Sequence, residues 1–215
     1  MTDKLDKFGK SYKVFTEILP DPREEKVIMS SVIENLKEAI NGESNAKRKY
    51  ELYAEKATKE KLPEVAKIFK AVAHAESIHV KNHLKALSSI TKKEATDDFV
   101  VIKEDDLKNN VKDTRSNLTD AINGETHEVK KMYKEFLKNA KNAEQDVVEL
   151  TFHLAREAEK IHAKIYSQYL KKLEKGKLFE PLDVYVCTIC GNVELKEPTS
   201  NCKICDHGLR FFMKF

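Results

Sequence analysis

The sequence predicts an all-α bundle of four helices followed by a small four-cysteine metal domain, and three observations point there. Apolar residues recur at three- and four-residue spacing in four long segments. The apolar faces of those segments carry glutamates and histidines in a duplicated pattern. All four cysteines fall between Cys187 and Cys205, as two C-x-x-C pairs.

The first segment places Val32, Leu36, Ala39, Ile40, Ala46, Tyr50, Ala54 and Ala57 on one stripe, and the second Val65, Phe69, Val72, Ala73, Val80, Leu84 and Leu87. The third runs through Leu118, Ala121, Ile122, Val129, Met132 and Phe136, and the fourth through Val148, Phe152, Ala155, Ala158, Ile165 and Tyr169. Each stripe needs apolar partners, which a four-helix bundle provides. Pro63 suits the first turn of the second helix, where its missing N–H costs nothing. Between helices two and three lies SSITKKEATDDFVVIKEDDLKNN. It is too long for a tight turn and fits a crossover along the bundle, the connection of ferritin-like folds. Residues 1–29 read as an unassigned N-terminal extension, 30–176 as the bundle and 177–215 as the four-cysteine domain.

At 215 residues the chain can bury one sizeable core plus an appendage. Its 39 Lys and Arg against 36 Asp and Glu leave +3, dispersed along the chain rather than gathered in a basic arm, so nucleic acid gains no support as a partner. The N-terminus MTDKLDKFGKSYKVF has no apolar signal core, and FVVI at Phe99–Ile102 is far too short to span a bilayer. A cytoplasmic protein with no membrane partner is expected, where paired cysteines more often hold metal than form disulfides.

The stretch AINGE occurs twice, at Ala39–Glu43 and Ala121–Glu125. Each copy puts a glycine, which weakens a helix by roughly 1 kcal/mol against alanine, beside a carboxylate on the apolar stripe. A buried unpaired carboxylate must be protonated or meet a cation. Glu76-Ser-Ile-His79 and Glu159-Lys-Ile-His162 repeat in the same register, so the chain reads as a duplicated helical hairpin. One Glu from each of two helices plus Glu-x-x-His from each of the other two is the donor set of ferritin-like di-iron carboxylate proteins. Spacing of i, i+3 puts the Glu and His of each pair on one helix face. A glycine before the glutamate would let a neighbouring group approach the metal-bearing turn closely. Glu128, Tyr50 and Tyr133 fall near the same belt. His74, His83, His127, His153 and His207 read as bystanders, His83 being the one to check because it follows His79 by one turn.

In VYVCTICGNVELKEPTSNCKICDHGLRFFMKF, Cys187, Cys190, Cys202 and Cys205 form two knuckles that complete a tetrahedron suited to iron or zinc. Spacing does not choose between the two metals.

With both motifs placed, residues 30–215 resemble rubrerythrins, ferritin-like di-iron proteins with a C-terminal rubredoxin-like domain. The resemblance implies two irons held by Glu43, Glu76, His79, Glu125, Glu128, Glu159 and His162, with Glu128 and His79 exchanging as ligands of one iron. It also implies Tyr50 and Tyr133 beside the cluster, with Glu43 and Glu128 available for proton handling. The activity it implies is reduction of hydrogen peroxide to water, with electrons relayed through a tetrathiolate iron from an NAD(P)H-dependent reductase or a rubredoxin. No Gly-rich dinucleotide motif occurs in the chain itself. Asn192, Lys203 and Asp206 depart from the usual rubredoxin knuckles, at positions that shape hydrogen bonds to sulfur. The tail starts near one end of the bundle while the belt lies mid-helix, so a long within-chain electron path is expected. A head-to-tail homodimer, implied by the resemblance, would set each tail against the other subunit. The competing readings are a ferritin-like iron-oxidising or storage protein with a structural zinc in the tail, and a metal-braced interaction module.

Overall fold

The computed structural model describes residues 2–5, 11–14 and 22–215. The rest of the expected N-terminal extension lies outside the described residues. Strands β1 (Thr2–Leu5) and β2 (Ser11–Val14) pair antiparallel, with Thr2 opposite Val14. Helix α1 (Pro22–Lys59) starts earlier than the sequence pattern indicated, so the last residues of the extension are helical. Helix α2 (Pro63–Thr91) opens on its proline and ends at Lys92, which adopts the left-handed conformation at φ 57°.

The crossover is ordered by α1. Asn41 Oδ1 accepts from the Val101 amide at 2.9 Å, Asn45 Oδ1 accepts from the Lys103 amide at 3.0 Å, and Arg48 grips Glu104 through two hydrogen bonds of 2.9 and 2.7 Å. These three residues lie on one face of α1, so the polar side of the AINGE turn fastens the crossover. A short helix α3 (Glu104–Asn109) follows. Asp113 caps α4 (Thr114–His127) by accepting from the Ser116 amide at 2.8 Å.

The third bundle helix is not uniformly α. A π-helical turn at Glu128–Met132 joins α4 to α5 (Tyr133–Asn142), and the Tyr133 amide donates to the Glu128 carbonyl five residues back. The reason is visible in the repeat. Tyr50 follows Glu43 by seven residues, whereas Tyr133 follows Glu125 by eight. One wide turn absorbs the extra residue and keeps both tyrosines facing the core. Helix α6 (Asp146–Glu174) completes the bundle.

Two apolar clusters fill the bundle. One contains Tyr50, Tyr53, Phe69, Val72, Tyr166 and Tyr169, and the other Leu36, Ile40, Tyr133, Phe136, Phe152 and Ala155. Along α1 and α6 the glutamates fall between the residues of the two clusters, so the polar belt is sealed at both ends. Phe69 and Phe152 are fully buried, and truncating either to alanine would cost about 3–5 kcal/mol.

After Gly176 the chain returns along α2, where Lys67 Nζ donates to the Leu182 carbonyl at 2.9 Å. It then forms a three-stranded sheet in the order β4 (Val193–Glu194), β3 (Tyr185–Cys187), β5 (Phe212–Lys214). Val186 of β3 pairs with Val193 on one side and Met213 on the other. Val184, Val186 and Val193 pack into the first bundle cluster, which joins the small sheet to the bundle of its own chain. Among the described residues no helix is long and apolar enough to cross a membrane.

Candidate metal centres

Glu43 of α1, Glu76 and His79 of α2, and Glu159 of α6 each bring a donor atom within 4.8 Å of the others; so do Glu76, Glu125 of α4, Glu159 and His162. Glu76 and Glu159 belong to both groups, and their two oxygens divide between them. Glu76 Oε2 and Glu159 Oε1 lie 2.8 and 2.9 Å from His79 Nδ1, while Glu76 Oε1 and Glu159 Oε2 lie 3.5 and 2.6 Å from His162 Nδ1. Glu76 and Glu159 are so placed that each could serve two cations, one beside Glu43 and His79 and the other beside Glu125 and His162.

The rings are held by the small domain. His79 Nε2 donates to the Cys190 carbonyl at 3.1 Å, and His162 Nε2 donates to the Gly191 carbonyl at 3.0 Å. A carbonyl only accepts, so both rings carry a proton on Nε2 and turn Nδ1 toward the carboxylates, where the neutral ring has a lone pair to offer a cation. Those Nδ1 atoms, with Glu43 Oε2, Glu76 Oε2, Glu125 Oε2 and both Glu159 oxygens, are buried without a hydrogen-bond partner among the described residues. Donors converging on two points, with nothing else to satisfy them, fit a pair of metal cations.

The electrostatics agree. Burial, then the Glu76 carboxylate, pushes Glu43 up to about 7 and Glu159 up to about 8. Burial acts on Glu76 too, yet the His162 and His79 rings facing it, when protonated in the metal-free protein, draw it down to about 2. Two divalent cations would relieve the repulsion that raises the others. Glu128 belongs to neither donor group. It is half-buried at the head of the π turn, and desolvation followed by the Glu43 and Glu125 carboxylates holds its carboxyl well above the usual range. Four carboxylates of the belt act on it, so it faces the centre from just outside.

The tyrosines cross over. Tyr50 of α1 donates to Glu125 Oε1 at 2.5 Å, and Tyr133 of α5 donates to Glu43 Oε1. His83 is not a bystander. It is fully buried, its Nε2 lies 2.9 Å from the Tyr133 hydroxyl and its Nδ1 2.9 Å from Thr151 Oγ1. The available signal was the repeat itself, which aligns His83 with Tyr166. His127, His153 and His207 are exposed, and His74 is half-buried against Phe215. Gly42 corrects a second expectation, since a Cβ there would meet nothing within 4 Å. Only Gly124 has the expected close neighbours, at 3.5 Å from Lys49 Nζ and 3.9 Å from the Tyr50 hydroxyl.

The cysteines form the third group, with all four sulfurs within 4.8 Å of one another. Cys187 and Cys205 sulfurs lie 3.6 Å apart, and those of Cys190 and Cys202 3.5 Å apart. A tetrahedral metal at about 2.3 Å from each thiolate demands edges of about that length. Each knuckle is closed by backbone hydrogen bonds, Gly191 N to Cys187 O and Asp206 N to Cys202 O, both 2.9 Å. Asp206 takes the left-handed conformation at φ 57°, which aspartate tolerates, so the departure from glycine leaves the turn intact. Asn192 is buried and donates to Cys202 Sγ at 3.7 Å.

The small domain sits on the belt of its own chain. Besides the two histidine contacts, Asn82 Nδ2 donates to the Ile189 carbonyl at 2.8 Å. The long within-chain path expected from the sequence is therefore corrected. The tail folds back along α2 and ends one hydrogen bond from each imidazole.

A rubrerythrin family model matches residues 34–170. Rubrerythrin-2 of Clostridium acetobutylicum is 39% identical over 170 residues, covering 79% of this chain and 89% of that protein. Nigerythrin of Nitratidesulfovibrio vulgaris is 29% identical over 182 residues, 84% of each chain. The solved structure described as the fully reduced, all-ferrous state of nigerythrin superposes with a TM-score of 0.75 at 26% identity, over 86% of each chain. With a ferritin-like bundle, a duplicated carboxylate–histidine belt and a small four-cysteine sheet, this chain belongs to the rubrerythrin family of di-iron proteins.

Proposed function

We propose that the protein is a non-haem di-iron peroxidase of the cytoplasm, reducing hydrogen peroxide to two waters in defence against oxidative stress. The observation behind this reading is that each candidate terminal histidine is hydrogen-bonded to a backbone carbonyl of the cysteine knuckle, which joins a one-electron site to a two-electron site. Held by Glu43, Glu76, His79, Glu125, Glu159 and His162, two irons would offer the two electrons that O–O cleavage needs, and an iron held by the four cysteines would offer one-electron transfer from an NAD(P)H-dependent reductase or a rubredoxin.

The chain's own residues do the rest. Glu76 and Glu159 hold the two positions together. Nε2 of His79 and of His162 stays committed to the knuckle carbonyls, which fixes both rings. Peroxide reduction consumes two protons, and Glu128, whose carboxyl burial and the belt carboxylates hold well above the usual range, would carry one from outside the donor groups, as would Glu43 once displaced from metal. Tyr50 and Tyr133 hold Glu125 and Glu43 in orientation. The apolar clusters above and below exclude bulk water.

The test compares oxidants on the chemically reduced protein. Rapid mixing with peroxide should oxidise the belt irons much faster than mixing with oxygen at equal concentration. Faster reaction with oxygen would favour iron oxidation or storage. Metal analysis with a visible spectrum checks the tail, since a ferric tetrathiolate site is red and zinc is colourless.

A further inference from the structure

The duplication puts matching aromatic triplets on the two sides of the belt. Tyr50, Phe69 and Tyr166 pack together with ring centroids 5.1 to 6.1 Å apart, and Tyr133, Phe152 and His83 at 5.3 to 5.9 Å. The repeat aligns Tyr50 with Tyr133, Phe69 with Phe152, and Tyr166 with His83. It also aligns Ile68 with Thr151. The two sides thus differ at the third ring and at the residue behind it.

That difference sets the direction of a hydrogen-bond chain. Tyr133 has one proton and gives it to Glu43 Oε1, so His83 Nε2 must donate to the Tyr133 oxygen. His83 Nδ1 is then an acceptor, and the Thr151 hydroxyl donates to it. Burial keeps the ring neutral by pushing His83 down to about 3, which leaves this single tautomer. On the other side the Tyr166 hydroxyl is buried without a partner among the described residues, and Tyr50 makes its bond to Glu125 unaided.

A hydroxyl that accepts a hydrogen bond becomes a stronger donor, because polarisation runs along the chain. Glu43 therefore commits more of its charge to its tyrosine than Glu125 does and leaves less for a cation. We infer that His83, oriented by Thr151, is a positioning residue that strengthens the bond from Tyr133 to Glu43 and makes the Glu43–His79 metal position the weaker of the two. This rests on the two-metal reading of the belt and assigns the asymmetry of that centre to a residue outside the donor set.

Cobalt(II) titration of the full-length, metal-stripped protein, followed by calorimetry and visible absorption, reads both positions without turnover. The parent should bind two bundle ions in distinguishable steps. His83→Leu should tighten the weaker step alone, by about tenfold on the scale of outer-sphere effects. Thr151→Val, which preserves shape, should move the same step in the same direction. His83→Gln, whose amide can donate to Tyr133 and accept from Thr151, should restore the parental gap. A gap unchanged in both His83→Leu and Thr151→Val would overturn the inference while leaving the two-metal centre standing, as would a shift confined to the tighter step. Failure of the parent to bind two bundle ions would overturn the centre itself, and the inference with it.

Discussion

Gly191 sits so close to His79 that a methyl group on it would lie 2.4 Å from His79 Nε2. Its φ of 79° is also in the left-handed region, so both the space and the backbone require glycine. Gly191 is one of the points where the cysteine knuckle touches the belt, its carbonyl accepting from His162 Nε2. Gly191→Ala should push the small domain off α2 and α6 while leaving all four cysteines in place. The expected outcome is unchanged metal content with reductase-coupled turnover lowered about 10–100-fold, the usual cost of losing an imidazole's outer partner. Stopped-flow transfer from the reduced tetrathiolate site to the belt measures it directly; parental transfer rates in the variant would refute the docking role.

Docking on the same chain also changes what subunit mixing should give. If each tail serves its own bundle, Cys202→Ser lacks the relay, Glu159→Ala lacks the belt, and mixed dimers contain no complete route. Coupled turnover should stay absent after mixing, with mixed dimers verified by mass spectrometry. Recovery would mean that tails cross between subunits in a head-to-tail homodimer, with the contacts of Gly191 and Cys190 made to a partner.

Glu159 and Glu128 should separate holding from turnover. Glu159 spans both candidate metal positions, so Glu159→Ala should lower metal content and peroxide turnover together, and Glu76→Ala likewise. Glu128 lies outside both donor groups, so Glu128→Ala should keep most of its iron yet turn over more slowly. Metal analysis beside steady-state rates checks the pair. Full occupancy and normal rates in Glu159→Ala would sink the assignment of the belt.

Stability of the metal-stripped protein should fall between pH 5 and pH 8. Glu43 and Glu159 are raised to about 7 and 8 from 4.5, so the folded state keeps protons that the unfolded chain releases. Their contribution therefore declines as pH rises through that window, at about 1.4 kcal/mol per pH unit for each proton retained. Against the pull of burial, Glu159 holds His79 and His162 well above 6.5, and these act in the same direction above that pH. Glu76, drawn down to about 2, works the other way only below 4.5. Added divalent metal displaces these protons and should raise Tm more at pH 8 than at pH 5.5. Calorimetric melts with and without metal test it, and Glu159→Gln should flatten the slope.

The sequence by itself determined the bundle, the donor types and the cysteine tetrad. Those follow from local periodicity: i, i+3 and i, i+4 spacing fixes which residues share a helix face, and C-x-x-C fixes two thiolates at one turn. The duplicated AINGE and Glu-x-x-His pairs made the belt legible without coordinates, because a repeated polar residue on an apolar stripe needs a cation. Tertiary structure decided what depends on residues far apart in the chain. The crossed bonds of Tyr50 to Glu125 and Tyr133 to Glu43 join helices whose separation no periodicity encodes. The π turn at Glu128 was written in the seven-against-eight spacing of Glu and Tyr, yet its effect appears only once both tyrosines must reach the same core. His83 read as a bystander, though the one to check, until packing set Thr151 and Tyr133 on its two nitrogens. The seating of Cys190 and Gly191 on the imidazoles was the least legible, since the path of residues 177–184 back along α2 is fixed by contacts such as Lys67 with the Leu182 carbonyl rather than by any pattern of their own.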